Sequence, residues 1–223
     1  MTVATFVLIH GGGDVGWYWH LVERELRQRG HDTLAPDLPC EDGSAGLAEY
    51  ADTVIKAIGG RRRLVLAAQS FGGFTAPLVA ARVPVEMLVL VAGMIPAPGE
   101  APDDWPANTG FDEVMREQAQ RYAGRDLIYH DVPPALAEQA RRRSRDQSDT
   151  PGHAPWPLDA WPPVPTRFVL CTEDRFFPPG FMRQVVADRL GVVPDEIAAG
   201  HAVALSRPKE LADLLVSYSA TAG

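Results

Sequence analysis

Six short apolar runs recur along the chain, and stretches with helical spacing or loop character separate them. The runs cover residues 6–10, 33–36, 64–68, 87–92, 167–171 and 196–199. Their apolar character is continuous rather than alternating, which is typical of strands buried on both faces of a parallel sheet. The pattern therefore predicts a central, mostly parallel sheet built from these six segments.

The stretches between the runs carry apolar residues at helical spacing. One predicted helix presents Leu47, Tyr50, Val54, Ile55 and Ile58 on a single face, and another presents Leu211, Leu214, Leu215 and Tyr218. Because strand and helix alternate, the crossovers are expected to be right-handed and the α/β sheet doubly wound. The length of 223 residues suits one domain, so we predict a single domain over residues 1–223.

This alternation breaks after the fourth run. Twelve of the twenty prolines lie between residues 95 and 165, which predicts an irregular segment with short helices around residues 111–122 and 134–145. The segment also carries Trp105, Tyr129 and Trp156. We interpret residues 95–160 as a cap insert whose aromatic side chains line a pocket, and a surface excursion is the alternative.

Composition narrows the classes of function. The net charge of −8 disfavours nucleic-acid partners, because such binding depends on lysine and arginine neutralising phosphates. The first residues lack the features of a signal peptide and no apolar stretch approaches a membrane span, so we expect a cytoplasmic protein without a membrane partner. We expect the protein to be a monomer or a homodimer. Cys40 and Cys171 are the two cysteines, and we interpret them as ordinary thiols.

Two residues stand where serine-based chemistry would need them. Ser70 follows the third apolar run and precedes a stretch that predicts a helix, with the small residues Ala68 and Gly72 on either side. A serine hydroxyl is a weak nucleophile, so it needs presentation on a sharp turn and a partner base. His201 follows the last run and could be that base. The alternative role for Ser70 is to cap the helix that follows it.

The ordered motifs resemble those of the α/β-hydrolase superfamily. The opening run with its loop, residues 6–13, and the end at Gly200 and His201 resemble the small branch that holds plant-type methylesterases, hydroxynitrile lyases and related bacterial esterases. The resemblance implies a six-stranded α/β-hydrolase sheet without the N-terminal hairpin of larger members. It also implies that the insert after the fourth strand covers the catalytic serine.

The resemblance assigns roles within the site. It places the acid that orients His201 at Asp174, with the adjacent Glu173 as the main competitor. It implies an oxyanion hole formed by the backbone N–H groups of Gly12 and Phe71. The residues expected to contact substrate are Gly11, Trp105, Tyr129 and Trp156.

The sequence therefore predicts a cofactor-independent serine hydrolase that acts on small carboxylic esters through an acyl-enzyme, with neither a cofactor nor a metal. A hydroxynitrile lyase is a less favoured alternative, because Ala202 stands where that group has lysine and Gly11 where it has threonine. A non-catalytic small-molecule binder is a third possibility. The glycines at 11, 13 and 16, with Asp37 about 20 residues on, also match a dinucleotide-binding fingerprint, which leaves an NAD(P)-dependent oxidoreductase as a minor alternative.

Overall fold

A six-stranded, all-parallel sheet forms the centre of the protein in a computed structural model that describes residues 3–221. Its strands are β1 (Thr5–Ile9), β2 (Asp32–Leu34), β3 (Leu64–Gln69), β4 (Met87–Val91), β5 (Thr166–Cys171) and β6 (Asp195–Ile197). Their spatial order is β2-β1-β3-β4-β5-β6. Each of the six apolar runs contributes one strand, so the prediction of a doubly wound α/β sheet is confirmed.

Helices cover both faces of the sheet. The helices of the described residues, in chain order, are α1 (His20–Gln28), α2 (Leu47–Ile58), α3 (Gly72–Ala80), α4 (Trp105–Thr109), α5 (Phe111–Arg121), α6 (Pro134–Arg143), α7 (Thr150–His153), α8 (Pro179–Leu190), α9 (Val203–Ser206) and α10 (Pro208–Thr221). On one face α2, α3 and α8 pack against the strands, and on the other α1 and α10 do so. Burial on both faces explains why the strands are continuously apolar.

The register brings the carboxyl ends of the strands to one edge. Ile9 of β1 lies opposite Ala68 of β3, and Gln69 of β3 lies opposite Val91 of β4. In open parallel sheets, ligands bind in the crevice outside this edge. The loops after β1, β3, β5 and β6 therefore converge on one place, and they carry the candidate site residues.

The segment between β4 and β5 contains short helices joined by irregular chain. The two helices predicted there correspond to α5 and α6, and α6 ends earlier than predicted because Ser144 adopts an extended conformation (φ −55°, ψ 144°). Trp156 fastens the segment to α3, since its indole N–H donates to the carbonyl of Phe74 at 3.1 Å, and Trp105 donates within the segment to the carbonyl of Ile95 at 3.0 Å. Within residues 3–221, no helix combines the length and apolarity needed to cross a membrane.

Candidate active site

Ser70 occupies a tight turn between β3 and α3. Its φ is +51°, in the left-handed region that non-glycine residues adopt rarely, and such strain is concentrated at functional sites. The Ser70 carbonyl accepts hydrogen bonds from the backbone N–H groups of Gly73 and Met94 at 3.0 and 2.9 Å. A Cβ at Gly73 would lie 1.9 Å from the Met94 oxygen, so the turn requires glycine there. The turn aims the Ser70 side chain at a cavity beyond the sheet edge.

His201 and Asp174 form a buried pair beside this turn. The imidazole Nδ1 lies 2.8 Å from Asp174 Oδ2, and the two side chains are 4% and 1% exposed. Asp174 Oδ1 accepts the backbone N–H groups of Phe176 and Phe177 at 2.8 and 2.9 Å, which fixes the carboxylate. With Nδ1 donating to Asp174, Nε2 of His201 is left as an acceptor, the form that a general base needs.

The competing acid lies elsewhere. Glu173 is exposed, and the contact it makes with a histidine runs through its backbone carbonyl, which accepts from His130 Nε2 at 3.1 Å. The geometry therefore brings Asp174, and not Glu173, to His201.

Gln69 is a site residue that the sequence reasoning missed. It is buried, and its side-chain nitrogen lies 3.0 Å from His201 Nε2, to which the amide donates. Among residues 3–221, no hydrogen bond joins the Ser70 hydroxyl to His201. In this structure His201 Nε2 accepts its hydrogen bond from the Gln69 amide instead. A polar residue closing the otherwise apolar strand β3 was the available signal.

The loop after β1 presents backbone donors to the same cavity. The N–H groups of Gly12 and Phe71 have no hydrogen-bond acceptor among the residues that the structure describes, and both residues line the cavity. Gly11 lies against the Gln69 side chain, because a Cβ there would be 2.5 Å from Gln69 Oε1. Two unpaired amides at one cavity wall are the arrangement that binds a developing oxyanion.

His10 and Asp37 hold this loop in place. His10 is fully buried, donates from Nδ1 to the Gly11 carbonyl at 2.8 Å and accepts the Leu38 N–H at Nε2 at 3.0 Å. Burial lowers the pKa of His10 to about 4, so the imidazole is neutral at pH 7. Asp37 accepts the Gly16 N–H at 2.7 Å, so this carboxylate is engaged with the loop.

The cavity has a volume of about 360 Å³. Ser70, His201 and the loop glycines 11 and 12 lie on its wall, and the segment between β4 and β5 supplies five further residues: Met94, Pro106, Phe111, Ile128 and Tyr129. Trp105 and Trp156 do not line it, because they are fully buried with their indole N–H groups bonded to backbone carbonyls. The prediction that these two tryptophans contact substrate is therefore corrected, whereas Tyr129 and Gly11 lie at the cavity.

The comparisons with known proteins agree with this fold. The model of the alpha/beta hydrolase family matches residues 6–214. The chain belongs to this family. It is 25% identical over 248 residues to norfluorocurarine synthase 1 from a Strychnos species, covering 94% of this chain and 93% of the relative.

Two further relatives are similar over nearly the whole chain. Esterase PIR7B of Oryza sativa subsp. japonica is 28% identical over 254 residues, covering 96% of this chain and 95% of the relative. The crystal structure of polyneuridine aldehyde esterase superposes with a TM-score of 0.82 at 21% identity, covering 98% of this chain and 100% of that one. Relatives named esterases support a hydrolase of esterase type, and the structural likeness shows the fold.

Proposed function

We propose that this member of the family is a cofactor-independent hydrolase of small carboxylic esters. One observation carries the proposal: His201, which a 2.8 Å hydrogen bond joins to the buried Asp174, lines the same cavity as Ser70, whose backbone is held in a strained turn. Acyl transfer by a serine needs three groups in one place: a nucleophile presented on a strained turn, a base, and an acid that orients the base.

In the proposed reaction, Ser70 Oγ attacks the carbonyl carbon of the ester while His201 Nε2 takes the hydroxyl proton. The tetrahedral intermediate collapses when the imidazolium returns that proton to the leaving alkoxide, which departs as the alcohol. Water then attacks the acyl-enzyme with the same assistance and releases the acid. Asp174 holds the imidazole tautomer and stabilises the imidazolium throughout.

The oxyanion of the intermediate would bind the free N–H groups of Gly12 and Phe71. Such preorganised donors act where charge develops, and losing one costs roughly 10²-fold or more in rate. We assign the segment of residues 95–160 the role of a cap, because Pro106, Phe111, Ile128 and Tyr129 close the cavity opposite the sheet.

The alternatives find less support in the site. Ala202 follows His201 and lines the cavity, so the position of the lyase lysine offers no cation to an anionic leaving group. Asp37, which a dinucleotide site would turn towards a ribose, instead accepts a loop N–H.

The experiment is turnover of short and aromatic p-nitrophenyl and methyl esters by the wild type and by Ser70→Ala. We expect hydrolysis by the wild type and a loss of several orders of magnitude in kcat in the variant. A variant that retains the wild-type rate would remove Ser70 from the reaction and contradict the proposal.

A further inference from the structure

Asp14 is an acidic residue on the cavity wall that the proposed reaction does not use. It lies four positions after His10 in the loop following β1, and it borders the same cavity as Ser70 and His201. Its side chain is partly buried. A carboxylate on the wall of a mainly apolar pocket is an orienting group for ligand, because the few polar groups of such pockets set specificity.

The hydrogen bonds of Asp14 leave one oxygen unused. Oδ1 accepts the N–H of the adjacent Val15 at 2.8 Å, and among residues 3–221 no donor reaches Oδ2. The neighbouring guanidinium of Arg145 donates to the backbone carbonyls of Asp14 and Leu38, at 3.4 and 2.8 Å, instead of to the carboxylate. Asp14 therefore keeps acceptor capacity that no described group fills.

The residues around Asp14 offer a ligand few other polar groups to bind. Apolar side chains dominate the wall, with Met94, Ile128 and Phe176 among them, and the phenols of Tyr18 and Tyr129 add polar groups. Arg145 and Asp37 are the other charged groups that act on Asp14, with opposite signs. Burial raises the pKa of Asp14 to about 6, so the group is mostly ionised at neutral pH.

The cavity that Asp14 borders has a mainly apolar wall, and a donor that reaches the ionised carboxylate there forms a charge-assisted hydrogen bond. We propose that Asp14 binds a hydrogen-bond donor carried by the ester, a hydroxyl or a protonated amine, so that hydroxy- or amino-substituted esters are preferred to plain alkyl esters. The inference rests on the proposed function for its chemistry, and on the geometry of Asp14 for the substrate class.

The kinetic test uses methyl esters of ω-hydroxy and ω-amino acids of several chain lengths, each beside the ester with a methyl group at the same position. The readout is the ratio of kcat/KM for the substituted ester to that for its alkyl counterpart. Asp14→Asn keeps the size and the acceptor for Val15, and we expect it to lower the ratio about tenfold or more. The matched control is Asp188→Asn on the exposed side of α8, which is expected to leave the ratio unchanged.

The preference for the amino esters is also expected to decline as the pH falls through about 6, where Asp14 takes up a proton. A wild type that shows no preference at any chain length, or an Asp14→Asn variant that keeps it, overturns the inference.

A binding measurement separates this inference from the proposed function. Calorimetric titration of the ω-amino esters into Ser70→Ala, and into the Ser70→Ala, Asp14→Asn double variant, needs no turnover. Weaker binding by about tenfold or more in the double variant supports the inference even if the wild type hydrolyses no ester. Equal binding by the two proteins, or none by either, overturns it.

Discussion

The pair of variants Asp174→Asn and Glu173→Gln separates the two candidate acids. Asparagine at 174 retains an oxygen for the Phe176 and Phe177 N–H groups but can turn an amide nitrogen towards His201 Nδ1, where a carboxylate oxygen now lies at 2.8 Å. Two donors would then face each other, so the imidazole is expected to shift its proton to Nε2 and lose its basic form. A comparable change in a serine protease with a Ser-His-Asp triad lowers kcat about 10⁴-fold, or about 5.5 kcal/mol.

Glu173→Gln is the matched control, because that side chain is exposed and its backbone makes the contact to His130. We expect its kcat to stay within about twofold of the wild type, as is usual for surface changes away from the reacting groups. The assay is steady-state hydrolysis of a p-nitrophenyl ester, with melting temperatures to show that both variants fold. A loss below about tenfold in Asp174→Asn, or an equal loss in Glu173→Gln, would refute the orienting role of Asp174.

Three further predictions test parts of the site. Burial raises the pKa of Asp14 to about 6, well above the usual range of an aspartate, so its ionisation opposes folding. Asp14→Asn should raise the free energy of unfolding by up to about 3 kcal/mol above pH 6, and chemical denaturation should show this gain vanishing towards pH 4. Gln69→Met should speed phosphonate labelling of Ser70 by up to about tenfold, because the amide no longer competes for His201 Nε2; slower labelling would mean that Gln69 holds the base productively. Tyr129→Ala should change the kcat/KM ratio of bulky to small esters by about 1–3 kcal/mol, and a flat ratio would remove Tyr129 from the substrate wall.

The sheet could be predicted from the sequence because a strand that is buried on both faces is apolar at every position. The meeting of Ser70, Asp174 and His201 could be anticipated for a related reason: each follows a strand, and parallel strands end at the same edge. Position after a strand, together with residue type, indicated Ser70 and His201, whereas the choice of Asp174 over the adjacent Glu173 rested on the resemblance to the family.

The tryptophans show where this reasoning stops. Trp105 and Trp156 lie in a proline-rich segment without regular periodicity. The sequence there does not distinguish a ring that faces a pocket from one that faces the core. In the structure both rings are buried in the core, and each indole N–H donates to a backbone carbonyl, Ile95 for one and Phe74 for the other. Those partners depend on how the segment packs, which local sequence does not encode.

Gln69 and Asp14 were missed for a related reason. Gln69 is polar at the end of an apolar strand, but its importance comes from a contact with His201, which lies 132 positions further along the chain. Asp14 reads as an ordinary loop carboxylate until the cavity wall around it is known. Both roles depend on distant parts of the chain meeting at the sheet edge.

The most direct test of the central claim is the site of covalent modification by an active-site phosphonate. We expect intact mass spectrometry to show one adduct per chain, peptide mapping to place it on Ser70, and the adduct to be lost in Ser70→Ala and strongly slowed in His201→Ala. An adduct on a different residue, or labelling of Ser70→Ala at the wild-type rate, would contradict the assignment of Ser70 as a nucleophile activated by His201.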